Sequence, residues 1–225
     1  MRNKFDKELN QLNDELIEMG SLIEKAIEMS ISALVKKDIE LAKQTIEFDS
    51  EIDQQERVIE GLCLKLLLQQ QPVAKDLRVI SSALKMITDM ERIGDHASDI
   101  AEITLVIADE PYIKEVRQIQ EMAKEAIIML VKSIEAFVNK DMVLAGEVIG
   151  RDDIVDDLFV QVKNDLIHMI HENANTGEQA TDFLMIAKYL ERIGDHATNI
   201  AEWVIFSITG EHKGKRTESS NPKLK

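Results

Sequence analysis

Rows of acidic side chains at four-residue spacing are the part of this sequence best suited to chemistry. Glu91, Asp95 and Asp99 form one row, and Asp49 and Asp53 form a shorter one. Residues i and i+4 of an α-helix lie on the same face about 6 Å apart, so like charges in such a row repel one another. Clusters of carboxylate oxygens bind hard or borderline cations such as Mg²⁺, Ca²⁺, Mn²⁺ or iron. The spacing therefore indicates a metal site on a helical surface.

The second half of the chain carries a matching set of acidic rows. Its members are Asp152, Asp156, Glu191, Asp195 and, in place of a third carboxylate, Asn199. The alternative is a solvated acidic face with Arg or Lys nearby, but Arg92 and Arg192 are expected to point about 100° away around the helix. Four rows at matched positions favour metal binding, with several ions bridged by shared carboxylates.

Residue patterns typical of enzymes are missing from the sequence. It has no Gly-rich phosphate loop, GxSxG, HExxH or cysteine cluster, and the single cysteine, Cys63, is expected to be a small core residue. The Glu-x-x-His motif of di-iron bundles is also missing, the nearest match being Asp165-x-x-His168. We therefore expect a protein that is not an enzyme.

The composition is strongly acidic. The chain of 225 residues has 27 Lys plus Arg and 42 Asp plus Glu, which gives a net charge of −15. Such a surface repels nucleic acid and anionic lipid and suits cations or basic patches on proteins. Residues 1–12 lack the apolar segment of a signal peptide, and no apolar run approaches the roughly 20 residues that span a bilayer. A cytoplasmic protein that neither binds nucleic acid nor spans a membrane is expected.

An internal duplication predicts the architecture that positions the rows. Residues 91–102 read ERIGDHASDIAE and residues 191–202 read ERIGDHATNIAE, while Lys37-Asp38 recurs as Lys140-Asp141 at an offset of 103. With helical periodicity throughout, this predicts an all-α fold made of a duplicated three-helix bundle with six long antiparallel helices. The predicted boundaries are residues 1–109 for the first bundle, 110–209 for the second and 210–225 for a disordered basic tail.

Two further features flank the acidic rows. Gly94 and Gly194 cost about 1 kcal/mol in a helix interior relative to Ala, so a close approach of neighbouring helices is expected there. His96 and His196 follow the Asp of each ERIGDH copy. Each is interpreted either as a hydrogen-bonded side chain near the bundle edge or as a supporting metal ligand.

Three segments carry a resemblance to a known family. They are QPVAKDLRVI at 71–80, DMERIGDHASDIAE at 89–102 and YLERIGDHATNIAE at 189–202. In this combination the chain resembles the PhoU family of phosphate-specific transport system accessory proteins over residues 1–209. The resemblance implies spectrin-repeat-like three-helix bundles whose E(D)xxxD motifs hold multinuclear clusters of iron, manganese, magnesium or zinc. Those motifs match the rows identified above, with Asn199 as the departure from the pattern.

The resemblance also implies a function. Members of this family are negative regulators of the phosphate starvation response and of phosphate uptake. They act as adaptors between the ATPase of the phosphate ABC transporter and a sensor histidine kinase, and a homodimer is expected. The alternatives are a metal-binding helical scaffold, a paralogue that serves another transporter, and a metal-dependent phosphatase.

Overall fold

Long helices make up almost all of the described chain. The structure is a computed structural model that describes residues 2–69, 73–113 and 117–211, with the side chains of residues 2–4 and 69 excepted. Within these ranges there are six α-helices and one short 3-10 helix: α1 Arg2–Lys36, α2 Ile39–Gln69, α3 Ala74–Ile107, α4 Arg117–Asn139, α5 Met142–Glu172, the 3-10 helix Ala174–Thr176, and α6 Gly177–Thr209. The predicted all-α fold is confirmed.

The first connection of each half is built in the same way. Lys37 and Lys140 adopt left-handed conformations, with φ of 55° and 54°. The amide of Asp38 donates to Ala33 O, closing the end of α1 as a Schellman motif does, and the Asp38 carboxylate then accepts from the Leu41 amide at 3.0 Å. This repeated helix end, with its aspartate cap, makes α1–α2 and α4–α5 antiparallel pairs.

The helices pack in two groups of three. Helices α1, α2 and α3 contact one another, and so do α4, α5 and α6. The groups meet where α3 packs on α6 and where α1 packs on α4, and one cluster of buried apolar side chains extends through both. The predicted duplicated three-helix bundle is confirmed. The predicted boundary at 109/110 falls between α3 and α4, and residues 212–225 of the predicted tail lie outside the described residues.

The connection between the groups is tied to both. The hydroxyl of Tyr112 donates to Leu34 O at the end of α1, at 2.8 Å. Gln179 of α6 accepts from the Ile113 amide at 2.6 Å and donates to Pro111 O at 3.3 Å. The connecting segment therefore contacts α1 on one side and α6 on the other.

The two glycines of the ERIGDH copies differ in how tightly they are packed. A Cβ on Gly94 would lie 3.0 Å from Ile52 Cδ1 and 3.3 Å from Asp49 Oδ1. A Cβ on Gly194 would lie 3.5 Å from both Asp152 Oδ1 and Val155 Cγ1, which is ordinary contact. The expected close approach is therefore present at Gly94, where α2 meets α3, and is looser between α5 and α6.

This difference predicts opposite responses to the same substitution. Gly194→Ala should raise the free energy of unfolding by up to about 1 kcal/mol, because alanine favours the helix and its methyl group fits. Gly94→Ala should give no gain or a loss, because Ile52 must move. Urea denaturation of both variants measures the difference, and equal gains would show that Ile52 yields at no cost.

Candidate metal centre

The first acidic cluster forms where α2 lies beside α3. Burial, followed by the negative charge of Asp95, raises the pKa of Asp49 to about 6, and Asp53 and Asp99 add smaller effects. The pKa of Glu91 is also raised, first by burial and then by Asp95. The five carboxylates predicted for this half thus interact across the α2–α3 contact.

The second acidic cluster repeats this arrangement between α5 and α6. Burial and then the charge of Asp195 raise the pKa of Asp152 to about 6. Burial and then Glu191 raise the pKa of Asp156, and the same two causes act on Asp195. Four predicted carboxylates are therefore brought together here.

The side chain of Asn199 forms its hydrogen bond with helix α3. Its Nδ2 donates to Asp89 Oδ1 of α3 at 3.1 Å. The same oxygen lies 2.8 Å from His196 Nδ1. The fifth predicted member of the second row therefore contacts the other bundle through Asp89, a residue that the four-residue spacing did not single out.

Basic side chains partly neutralise both clusters, by different means. Arg92 Nη1 donates to Asp95 Oδ2 at 2.7 Å, and its Nε lies 3.4 Å from Glu91 Oε2. The expectation that Arg92 points away from its row was wrong, because the arginine side chain is long enough to fold back along the helix. Lys188 forms an ion pair with Glu191 in the second half. Arg192 forms no ion pair with any residue that the structure describes.

Glu56 is a member of the first cluster that sequence reasoning missed. Burial and then Asp53 raise its pKa. Its spacing, three residues after Asp53 and seven after Asp49, was the available signal, since both intervals fall on one helix face. At the offset of 103 its counterpart is Phe159, whose ring centroid lies 5.4 Å from Lys188 Nζ. The two clusters therefore differ in charge as well as in their counter-ions.

The two histidines lie at the contact between α3 and α6. His96 is buried, forms a hydrogen bond between its Nδ1 and Asp99 Oδ2 at 3.1 Å, and stacks on Tyr189 with ring centroids 5.3 Å apart. His196 forms its hydrogen bond with Asp89, and the two imidazole centroids are 5.7 Å apart. Of the two interpretations of His96 and His196, the structure shows the hydrogen-bonded side chain.

The donor chemistry of both clusters suits hard cations. Every side chain in the rows offers oxygen, and burial, followed by the charge of a carboxylate on the neighbouring helix, raises the pKa of Asp49 and of Asp152. Among the described residues, however, no group of three or more His, Cys, Asp or Glu side chains closes around one point at metal-binding distance. The carboxylates and their counter-charges would have to rearrange to take up an ion.

The chain is similar to known proteins of one family over most of its length. The PhoU domain family matches residues 16–104 and 119–204. A phosphate-specific transport system accessory protein PhoU homolog of Clostridium acetobutylicum is 40% identical over 211 residues, which cover 93% of this chain and 96% of that protein. The homolog of Aquifex aeolicus is 36% identical, with 92% of this chain and 94% of that protein covered.

Solved structures show the same fold. The crystal structure of PhoU from Pseudomonas aeruginosa superposes with a TM-score of 0.87 at 33% identity, covering 92% of this chain and all of that one. The phosphate transport system regulatory protein PhoU from Streptococcus pneumoniae gives a TM-score of 0.87 at 28% identity, covering 94% of this chain and all of that one. Within the described residues, no helix is long and apolar enough to cross a membrane.

The pKa shifts predict how stability depends on pH. Because Asp49 holds its proton more tightly in the folded state than in the unfolded chain, its ionisation costs stability as pH rises from about 4 to about 6, and the full cost persists above that range. Asp49→Asn and Asp152→Asn should therefore raise the free energy of unfolding at pH 8 by about 1 kcal/mol after solvent screening. They should give no such gain at pH 4.

Urea denaturation with a chelator present at both pH values measures this effect. Asp14→Asn is the matched control, because Asp14 is exposed on α1 outside the rows. Equal stabilisation at pH 4 and pH 8 would contradict the electrostatic explanation.

Proposed function

This chain belongs to the PhoU family, and we propose that it acts as a negative regulator of the phosphate starvation response and of phosphate uptake. The observation that carries the proposal is the match over nearly the full length of named accessory proteins of the phosphate-specific transport system. The PhoU domain family also matches both copies of the duplicated unit, which supports the proposal.

The proposed mode of action is that of an adaptor in the cytoplasm. It would contact the ATPase of the phosphate ABC transporter and a sensor histidine kinase, and keep the kinase from switching on its regulon when phosphate is plentiful. The names of the relatives describe accessory and regulatory proteins, which supports an adaptor rather than an enzyme. A homodimer is part of the proposal.

We further propose that the acidic rows hold several metal ions. The ligands would be the members of both rows: Asp49, Asp53, Glu91, Asp95 and Asp99 in the first half, and Asp152, Asp156, Glu191, Asp195 and Asn199 in the second. When bound, iron, manganese, magnesium or zinc would supply positive charge between neighbouring helices. Support comes from the partly buried carboxylates that lie beside one another across α2–α3 and α5–α6, where burial and then neighbouring charge raise the pKa of Asp49 and of Asp152.

The two halves should hold metal unequally. Asn199 brings an amide oxygen without charge, and its Nδ2 already donates to Asp89. Arg92 and Lys188 neutralise their rows in the structure, so ions must compete with a different cation in each half. The first half, with more carboxylates, is the stronger candidate site.

Metal content provides a direct test of the proposed ligands. Replacing Glu91, Asp95, Glu191 and Asp195 together with Ala should abolish the metal retained by purified protein, measured by inductively coupled plasma mass spectrometry. A control variant removes four exposed carboxylates outside the rows: Asp6, Asp14, Glu18 and Asp109. Unchanged metal content in the row variant, or an equal loss in the control, would show that the rows are not the site.

The regulatory role is tested with an alkaline phosphatase reporter of the phosphate regulon. A deletion strain grown with ample phosphate should switch the reporter on, and the restored gene should silence it. A reporter that stays silent in the deletion strain would favour a paralogue or a metal-handling scaffold. Complementation with the row variant then shows whether the carboxylates are needed for regulation.

A further inference from the structure

An apolar groove runs along the outside of the α1–α4 pair. Two adjoining cavities of about 550 and 410 Å³ form it. On α1 their lining follows a three- and four-residue spacing, as it does on α4, so both cavities lie on one side of the pair. The α1–α4 groove is lined by side chains of α1 from Ile17 to Lys36 and of α4 from Gln120 to Asn139.

The floor of this groove is formed by tight packing and its walls are exposed. A Cβ on Gly20 would overlap Ile134 Cδ1, so the Ile134 side chain of α4 packs directly on the α1 backbone there. Above this floor the apolar side chains of Ile17, Val35 and Val131 are 47%, 39% and 41% exposed. The groove spans about 30 Å along α1, at about 1.5 Å per residue, which is the length of a 20-residue helix.

Charges on the rim are separated along this length. Lys36 and Lys124 lie at the end of the groove next to the α1 C-terminus, in a cavity that Glu28 also lines closer to the middle of the groove. Glu24 and Glu135 lie towards the other end. Neither these four side chains nor Glu28 forms an ion pair with a described residue. Their charges are therefore available to a segment bound in the groove.

We propose that the α1–α4 groove binds one amphipathic helix of a partner protein. Its apolar face would cover the groove, its basic residues would lie beside Glu24 and Glu135, and its acidic residues would lie beside Lys36 and Lys124. The identity of the partner rests on the adaptor role proposed above.

A single helix suits this groove better than a second copy of the chain. One helix placed between α1 and α4 completes a three-helix arrangement like that of α1–α3. A second copy would set a pair of helices against the groove, whereas one helix can lie along it between α1 and α4. The separated charges match one helix whose two ends differ in sign.

The test measures binding of a fluorescent 20-residue peptide to the purified full-length protein by anisotropy. The peptide has leucine along one face, lysines in one half and glutamates in the other. A second peptide of the same composition has lysine and glutamate alternating along its length. Both carry a hydrocarbon staple on the polar face, so helix content does not separate them. The peptide with separated charges should bind about tenfold more tightly.

Protein variants locate the binding site. Lys36→Glu combined with Lys124→Glu should weaken binding of the first peptide about tenfold, because two attractions become repulsions. Val131→Asp should weaken both peptides, since it places a charge on the apolar wall. Lys75→Glu combined with Lys85→Glu is the matched control, because it changes net charge equally on exposed positions of α3 outside the groove. Circular dichroism confirms that each variant is folded.

Two results would overturn the proposal. Peptide binding that is insensitive to both groove variants would place the docking surface elsewhere. Groove variants that change the sedimentation of the protein itself would show that the groove is an interface between copies. Since purified protein and a defined peptide are used, failure here is distinguishable from failure of the reporter test, which concerns the regulatory role alone.

Discussion

The apolar packing that holds carboxylates together where α2 meets α3 and α5 meets α6 is the constraint on which the rest of this structure depends. Ile52 is fully buried against Gly94, and that contact places Asp49 beside the row on α3. Burying an apolar side chain of this size contributes about 2–3 kcal/mol, and many such contacts line each helix pair. The core therefore outweighs the repulsion at its edge, and a cation or a proton at the rows relieves a cost that packing imposes.

The two halves of the duplication relieve this repulsion in different ways. In the first half, Arg92 folds back onto the row and offsets part of its charge, whereas Glu56 adds a further acid and so increases the repulsion. In the second half, Lys188 neutralises Glu191 and packs over Phe159, which occupies the position of Glu56. The helical frame is shared, because it depends on apolar spacing, whereas the charges on it have diverged. Two clusters of the same geometry thus differ in the charge that they offer to an ion.

The sequence was sufficient to predict the helices, their grouping and the faces that carry the acids, because all three follow from local periodicity and from the repeat. The return of Arg92 to its row was not predictable from angles around the helix, since it depends on the reach of a long side chain. The contact of Asp89 with His196 joins residues of the two halves. The repeat shows which positions of the two halves are equivalent, but not which residues of one half touch the other.

The acidic rows and the contact between the bundles share residues, so they cannot change independently. Asp99 ends the first row and also holds His96, which stacks on Tyr189 of the other bundle. In the second half the equivalent position is Asn199, which donates a hydrogen bond to Asp89 of the first bundle instead. Drawing Asp99 towards an ion would remove the hydrogen-bond partner of a buried imidazole at this contact, at a cost of about 1–3 kcal/mol. Any displacement of Asp99 would therefore also affect the way α3 packs on α6.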